Sequence, residues 1–260
     1  MNGGYEKMSG SSESTNENII KSKKRVQNHG EVFTPKRIVK KMLDFPNIRE
    51  ACQNLTSTFL EPAAGEGAFL VEVLNRKMKM VANNYADDLT RYENYSLLAL
   101  STLYGVELLE DNAQKCVMNM YQVYYEAYQQ QAMKHGAKMK NKVLDCAKLI
   151  ISNNIAQGNF LTKLSANGNP IVFSEWQPVN LRKDAKTIKV QRTEYTIEDI
   201  LNGVEKELGE PSTHSVKIEQ LNLFDLFYNE EVTETEEKRM KYVPVKITDV
   251  YKEEMEEVDG

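Results

Sequence analysis

The chain has 260 residues, 41% of them hydrophobic, and a formal net charge of -5. It can bury a substantial core, but its acidic balance excludes a protein that grips nucleic acid unaided, because counterion release from phosphates needs clustered Lys and Arg. Cys52, Cys116 and Cys146 are scattered without metal-ligand spacing, which fits apolar packing in a reducing cytoplasm with no metal site. Neither a signal peptide nor a long apolar span is evident, so no membrane association is expected.

Residues 1–28 are polar and rich in Ser, Asn and Glu, and a disordered arm is expected there. Its basic patch, Lys21, Lys23, Lys24 and Arg25, reads first as a solvated surface and second as a phosphate contact. From Thr34 and Pro35, an N-cap followed by a first-turn proline, the spacing of Ile38, Val39, Met42 and Leu43 predicts an amphipathic helix that Pro46 closes. Phe59 and Leu60 then begin a short strand that Pro62 stops. Ala63, Ala64, Gly65 and Gly67 leave little side-chain bulk, and from Ala68 the residues Phe69, Leu70, Val73 and Leu74 fall on one helical face through Lys79.

Strand, tight turn and helix in that order suit a nucleotide-like ligand, since small residues admit it and helix-start N–H groups face it. The turn lacks the Gly-Lys-Ser/Thr ending of a P-loop and the full three-glycine dinucleotide spacing, so a phosphate-poor adenosyl ligand fits better. A helix-capping loop without a ligand is the alternative for the turn alone. Asn83 to Glu93 is polar enough for a loop, and Tyr92 to Leu103 predicts a helix. Leu103 to Leu108 reads as a second strand ending in Glu107, a carboxylate placed to accept both ribose hydroxyl protons of an adenosine. A helix is predicted from Asp111 through Met120. Its continuation carries Val117, Met120, Tyr121, Tyr124, Tyr125 and Tyr128 as a stripe that is core before it is a base-stacking platform. Lys134 to Lys142 reads as a basic loop, Val143 to Ile151 as another amphipathic stretch, and Asn154 to Gln157 as a short strand into Gly158-Asn159. Alternating strands and helices place the chain in the α/β class.

The segments Gly30–Val39, Glu61–Phe69, Tyr104–Leu108 and Ala156–Leu161 resemble motifs X, I, II and III, in that order, of the amino-group DNA methyltransferases of the adenine-N6 type found in restriction-modification systems. The resemblance covers Gly30 to Leu161 and implies a Rossmann-like class I methyltransferase sheet flanked by helices, with S-adenosylmethionine as cofactor. By the family's pattern the cofactor-binding residues are Val32, Phe33, Thr34, Pro35, Glu61, Pro62, Ala63, Ala64, Gly65, Gly67, Phe69, Glu107, Leu108, Asn159 and Phe160. Phe33, Thr34 and Pro35 hold the methionine end with Glu61, Ala63 and Gly65 beneath it, and Gly67 allows close approach. By the same resemblance Glu107 would take the ribose, Leu108 would pack on the adenine, Asn159 would contact the adenine amino group, and Phe160 would flank the ring.

The family also needs Asp or Asn followed by Pro-Pro and an aromatic, to accept hydrogens from the target amino group and to stack on the flipped base. Gly168-Asn169-Pro170-Ile171-Val172-Phe173 begins that pattern and fails it. The stretch Lys163–Asn167 before it is also too polar for a central parallel strand, so we read it as a decoy turn. None of the seven prolines follows another, so no catalytic residue is expected in this chain. Beyond it, Pro178 to Arg192 is polar and basic, and Thr196 to Leu208 reads as a capped helix. Leu221, Leu223, Phe224, Leu226, Phe227 and Tyr228 form a candidate docking patch, Glu230 to Glu237 is a solvated acidic run, and Tyr242 to Ile247 an edge strand.

The expected organisation is an arm over 1–28, a cofactor-binding domain over 29–180 and a partner-docking extension over 181–260. The expected function is the cofactor half of a split enzyme. A second methyltransferase subunit would complete the sheet and supply the Asn-Pro-Pro-aromatic loop and target recognition, and double-stranded DNA would be engaged through the complex. A degenerate regulator or scaffold is the second reading, and a solo methyltransferase on a non-DNA substrate the third.

Overall fold

The computed structural model describes residues 20–179, 181–182, 185–212 and 240–258, and its contacts divide the chain into two units that meet in sequence between Pro35 and Lys36. In the first unit, helix α1 (Lys23–His29) is capped by Ser22, whose hydroxyl accepts from the Arg25 amide at 3.2 Å. It is closed by Gly30 at φ +64, whose N–H donates to the Val26 carbonyl at 2.9 Å. Arg25 donates to Glu31 at 2.8 Å. A side-chain cap and a glycine stop thus form a helix at the end of this arm despite its polar composition. Residues 1–19 lie outside the described residues.

The second unit opens with α2 (Lys36–Leu43), and Pro46 does not close this helix but opens the next, α3 (Pro46–Cys52). Proline's missing N–H costs nothing in a first helical turn. Strand β1 (Phe59–Glu61) leads into α4 (Ala68–Tyr85) and α5 (Leu89–Leu100). Of the loop expected over Asn83–Glu93, only Ala86–Asp88 lies outside a helix, because Asp88 caps α5 by accepting from the Arg91 amide at 3.0 Å. Strand β2 (Leu103–Glu107), the long helix α6 (Glu110–Lys134), α7 (Asn141–Asn154) and β3 (Ile155–Asn159) follow. The first three strands are parallel, with Phe59 opposite Leu103 and Gly105 opposite Ile155, each pair joined by helices long enough to carry the chain back. The short β4 (Leu164–Ser165) adds antiparallel to β3, giving the order β1-β2-β3-β4.

The main core lies between the helices and one face of this sheet. Leu70, Leu74, Leu98, Leu103, Met120 and Ile150 belong to it, and so do Tyr124 and Tyr128, as the stripe on α6 predicts. The tyrosine hydroxyls are satisfied inside: Tyr124 pairs with Ser96 at 3.1 Å, and Tyr128 donates to Glu93 at 2.6 Å. Lys140 also bonds Glu93, at 2.7 Å, so the buried carboxylate ties α5, α6 and the start of α7 together.

A second sheet follows and takes in both ends of the stretch Pro178 to Arg192, which the sequence marks only as polar and basic. Strands β5 (Val172–Val179) and β6 (Lys189–Thr196) pair antiparallel along their whole length, and β8 (Val245–Lys246) adds to β6. Its buried charges misled the sequence reading. Arg192 donates to Ser174 at 2.9 Å, Asn153 at 2.8 Å, and Glu194 and Glu253 at 2.7 Å, so a residue that looks solvated is paired inside the fold. Helix α8 (Ile197–Asn202) has the expected Thr196–Asp199 capping box but stops well before Leu208, ended by Gly203 at φ +63. Strand β7 (Met240–Tyr242) pairs with β9 (Met255–Glu257), and a 3-10 helix (Ile247–Lys252) lies between. Ile188, Val190, Ile247 and Val250 join the main core, so the residues beyond 180 are packed with the helices. The patch Leu221–Tyr228 and the acidic run Glu230–Glu237 lie outside the described residues.

Lys77, on α4, fixes the entry to β1. Fully buried, it donates from Nζ to the carbonyls of Asn54 and Ser57 at 2.9 Å and of Leu55 at 3.4 Å. Burial pushes its pKa down to about 8, which leaves the ammonium dominant at neutral pH. Lys77→Met strands three carbonyls and is expected to destabilise the chain by about 3 kcal/mol in urea denaturation. Between the folded value near 8 and the ordinary 10.5, the unfolded chain holds more of this proton, so the group's contribution to stability rises with pH. The stability gap between wild type and Lys77→Met should therefore widen from pH 8 to pH 10.

Candidate cofactor site

The carboxyl ends of β1 and β2 meet through one turn. Pro62 and Ala63 are exposed at its tip, the Ala64 amide donates to the Val106 carbonyl at 2.9 Å, and the Gly67 amide donates to the Ala64 carbonyl at 2.8 Å. Gly65 at φ +54 and Gly67 at φ +87 hold left-handed conformations that L side chains rarely adopt. The Gly65 amide donates to Glu107 Oε2 at 2.8 Å across the strand ends. Glu107 is 8% exposed, and its Oε1 accepts from the Leu109 amide at 3.0 Å and from the Asn112 amide group at 3.3 Å. Glu61 Oε1 accepts from the Ala63 amide at 3.3 Å, and burial raises its pKa against that hydrogen bond.

The sequence expects Glu107 to accept both ribose hydroxyls. An ionised carboxylate offers about four acceptor positions, and the protein's own donors occupy three. One hydroxyl can be added directly; a second requires a hand-over, and the Asn112 contact is the longest of the three. Leu108, the next residue, is half exposed beside the carboxylate.

Gly67 is also needed for packing within the fold. A Cβ built there would lie 2.8 Å from Cys116 Sγ and 3.3 Å from Cys116 Cα, so the glycine admits α6. Burial, with the negative field of Glu107 and Glu61, pushes the Cys116 thiol up to about 12, which makes it a packing group and no nucleophile. Asn119 donates to the Glu66 carbonyl at 2.9 Å, and Lys115 pairs with the Glu66 carboxylate at 2.9 Å. Asn112, Lys115, Cys116 and Asn119 thus form one face of α6 that clamps the turn. Sequence reasoning missed them; their i, i+3, i+4, i+7 spacing directly after the Glu107 strand was the available signal.

The structure brings Glu61, Pro62, Ala63, Ala64, Gly65 and Gly67 together with Glu107 and Leu108. Phe69, in the first turn of α4, is half-buried against the main core. Asn159 ends β3, where its Oδ1 accepts from the Leu161 amide at 2.9 Å. Phe160 packs against the small second core of Val106, Ala156, Ile171, Phe173 and Ile197, so flanking a ring would compete with that packing. Val32, Phe33, Thr34 and Pro35 belong to the first unit, where the Lys21 ammonium lies 5.6 Å from the Phe33 ring centre and Val32 is exposed. Asn169 is exposed in the turn between β4 and β5, its carbonyl accepting from the Ser165 amide at 2.7 Å.

The acceptors around the turn suit an adenosyl ligand better than a nucleotide: Glu61, Glu66 and Glu107 surround it, Glu66 paired with Lys115, and the first turn of α4, Ala68-Phe69-Leu70-Val71, carries no charge. A phosphate would meet carboxylates there, whereas a ribose finds an acceptor. Residues 17–163, more than half of the chain, match the model of the N-6 DNA Methylase family. The chain belongs to that family. No curated protein and no solved structure matches this methylase. The matched stretch ends at Lys163 and includes every segment that builds the turn. In this methylase Gly67→Ala sets a Cβ against Cys116 at a strained φ and should destabilise the fold by about 2 kcal/mol. Adding Cys116→Ala is expected to return part of that loss in thermal denaturation, but not the backbone share.

Proposed function

We propose that this chain is the S-adenosylmethionine-binding subunit of a heteromeric DNA adenine-N6 methyltransferase of the restriction-modification kind, whose catalytic loop and target recognition come from a partner subunit. The observation that carries this reading is a conjunction. A Gly65–Glu107 cradle sits at the carboxyl edge of a parallel sheet, where α/β folds take their ligands, in a chain that holds no Pro-Pro dipeptide at all. Glu107 is the residue for the ribose and Leu108 the apolar surface for the adenine. Glu61 sets a negative charge near the turn, favourable to a sulfonium and an ammonium. The cofactor, when bound, supplies the methyl group; the residues here bind and orient it.

The exposed position of Asn169 in a surface hairpin supports reading it as a bystander, and the acidic net charge of -5 supports DNA engagement through the complex. A non-catalytic regulator shares the cradle but predicts no transfer with any partner.

The test is co-purification with the product of the neighbouring gene, which this proposal expects to carry the Asn-Pro-Pro-aromatic loop, followed by labelled-methyl transfer to DNA. Transfer only by the mixture supports the proposal, and no transfer by either the mixture or the single chains contradicts it. Glu107→Ala should weaken S-adenosylmethionine binding by about 1–3 kcal/mol in calorimetry, because it removes a charged acceptor and releases the Gly65 amide; unchanged affinity removes Glu107 from the site. Asn169→Ala is expected to leave turnover of the reconstituted complex within about twofold, and a large loss at normal cofactor affinity would restore Asn169 as a catalytic residue.

A further inference from the structure

A cavity of about 580 Å³ opens beside β1, on the sheet face away from the main core. Leu60, Tyr104 and Phe173 line one side, and Ile200, Val204 and Leu208 line another. Leu60 is 42% exposed although it belongs to a parallel strand, a class ordinarily covered on both faces. Ile200, Val204 and Leu208 are as exposed as Leu60 or more.

The backbone at this edge is also unpaired. The Phe59 amide donates to the Thr102 carbonyl at 2.9 Å, toward β2. Alternation along a strand therefore turns the N–H and C=O of Leu60 to the opposite edge, where no strand among the described residues pairs with them. The charges of the cavity are unevenly satisfied. Lys206 Nζ lies 3.0 Å from the Asp199 carboxylate and donates to the Glu194 carbonyl at 3.0 Å. The carboxylate of Glu175, an exposed residue that also lines the cavity, has no hydrogen bond or ion pair among the described residues, and desolvation raises its pKa.

We propose that this groove seats an extended, apolar segment of the partner subunit, added to the sheet as a strand beside β1, with a cationic side chain facing Glu175. The inference rests on the heteromeric reading above and names the surface on which the two chains meet. A small apolar ligand could fill the volume, but it would leave the Leu60 amide and carbonyl and the Glu175 carboxylate unpaired; a polypeptide strand satisfies all three. The length of β1 sets the added strand at about three to five residues.

The experiment uses the full chain and the purified product of the neighbouring gene, the subunit the proposed function expects. Amide hydrogen exchange is followed at Leu60 with and without that subunit, and association is measured for wild type and Glu175→Lys. The expected result is slowing of Leu60 exchange in the complex by about tenfold or more, and association weakened by about tenfold or more in Glu175→Lys with S-adenosylmethionine affinity unchanged. A complex that methylates DNA while Leu60 exchange stays as in the free chain overturns the strand addition and leaves the split-enzyme reading standing. A slowed Leu60 amide with undiminished association of Glu175→Lys overturns the cationic contact. Failure of the two chains to associate, with no transfer by the mixture, overturns both proposals.

Discussion

The hydrogen bond from the Gly65 amide to the Glu107 carboxylate is the interaction on which the candidate site depends. It joins residues 42 apart in sequence and locks the turn after β1 to the end of β2. A charge-assisted bond of this kind contributes about 1.5–3 kcal/mol, and it depends on a carboxylate whose second oxygen is held by Leu109 and Asn112. The Glu107 side chain is therefore oriented before any ligand arrives, so binding need not fix it. Cys116 packed against Gly67, and Asn119 bonded to Glu66, extend the same restraint along α6.

The sheet is finished on one face and open on the other. Helices bury the face bearing Leu103, with Leu70 and Leu74 of α4 in the same core, while among the described residues the opposite face carries the small cluster around Val106, Phe173 and Ile197. Lys77 spends three hydrogen bonds on the loop just before β1, so this edge is held in place although no described strand pairs with it. A rigid, half-covered strand beside an apolar cavity has the properties of an interface, in contrast to a frayed end.

Much of the site was legible in the sequence because its signals are local. Small residues after a short apolar run specify a tight turn, and a carboxylate at a strand end is read from two or three neighbours. The clamp on α6 was less legible, since Asn112 and Asn119 look like ordinary polar positions until the turn is placed against them. Strands β5 and β6 were lost for another reason: Arg192 and Glu194 imitate a solvated loop, yet each is buried against the other at 2.7 Å. Pro46 was misassigned because proline ends one helix and begins the next with equal ease. Gly67 was recognised as special, but its packing against Cys116 was not, because sequence does not show which helix occupies the space a side chain would need.

The central claim is that this polypeptide holds a methyl donor and carries no acceptor-side chemistry of its own. The most direct measurement incubates the homogeneous chain with labelled S-adenosylmethionine and adenine-containing duplex DNA, alongside a calorimetric titration with the cofactor alone. Saturable cofactor binding with no label transferred to DNA is the predicted result. Sustained adenine methylation by the isolated chain would contradict the account.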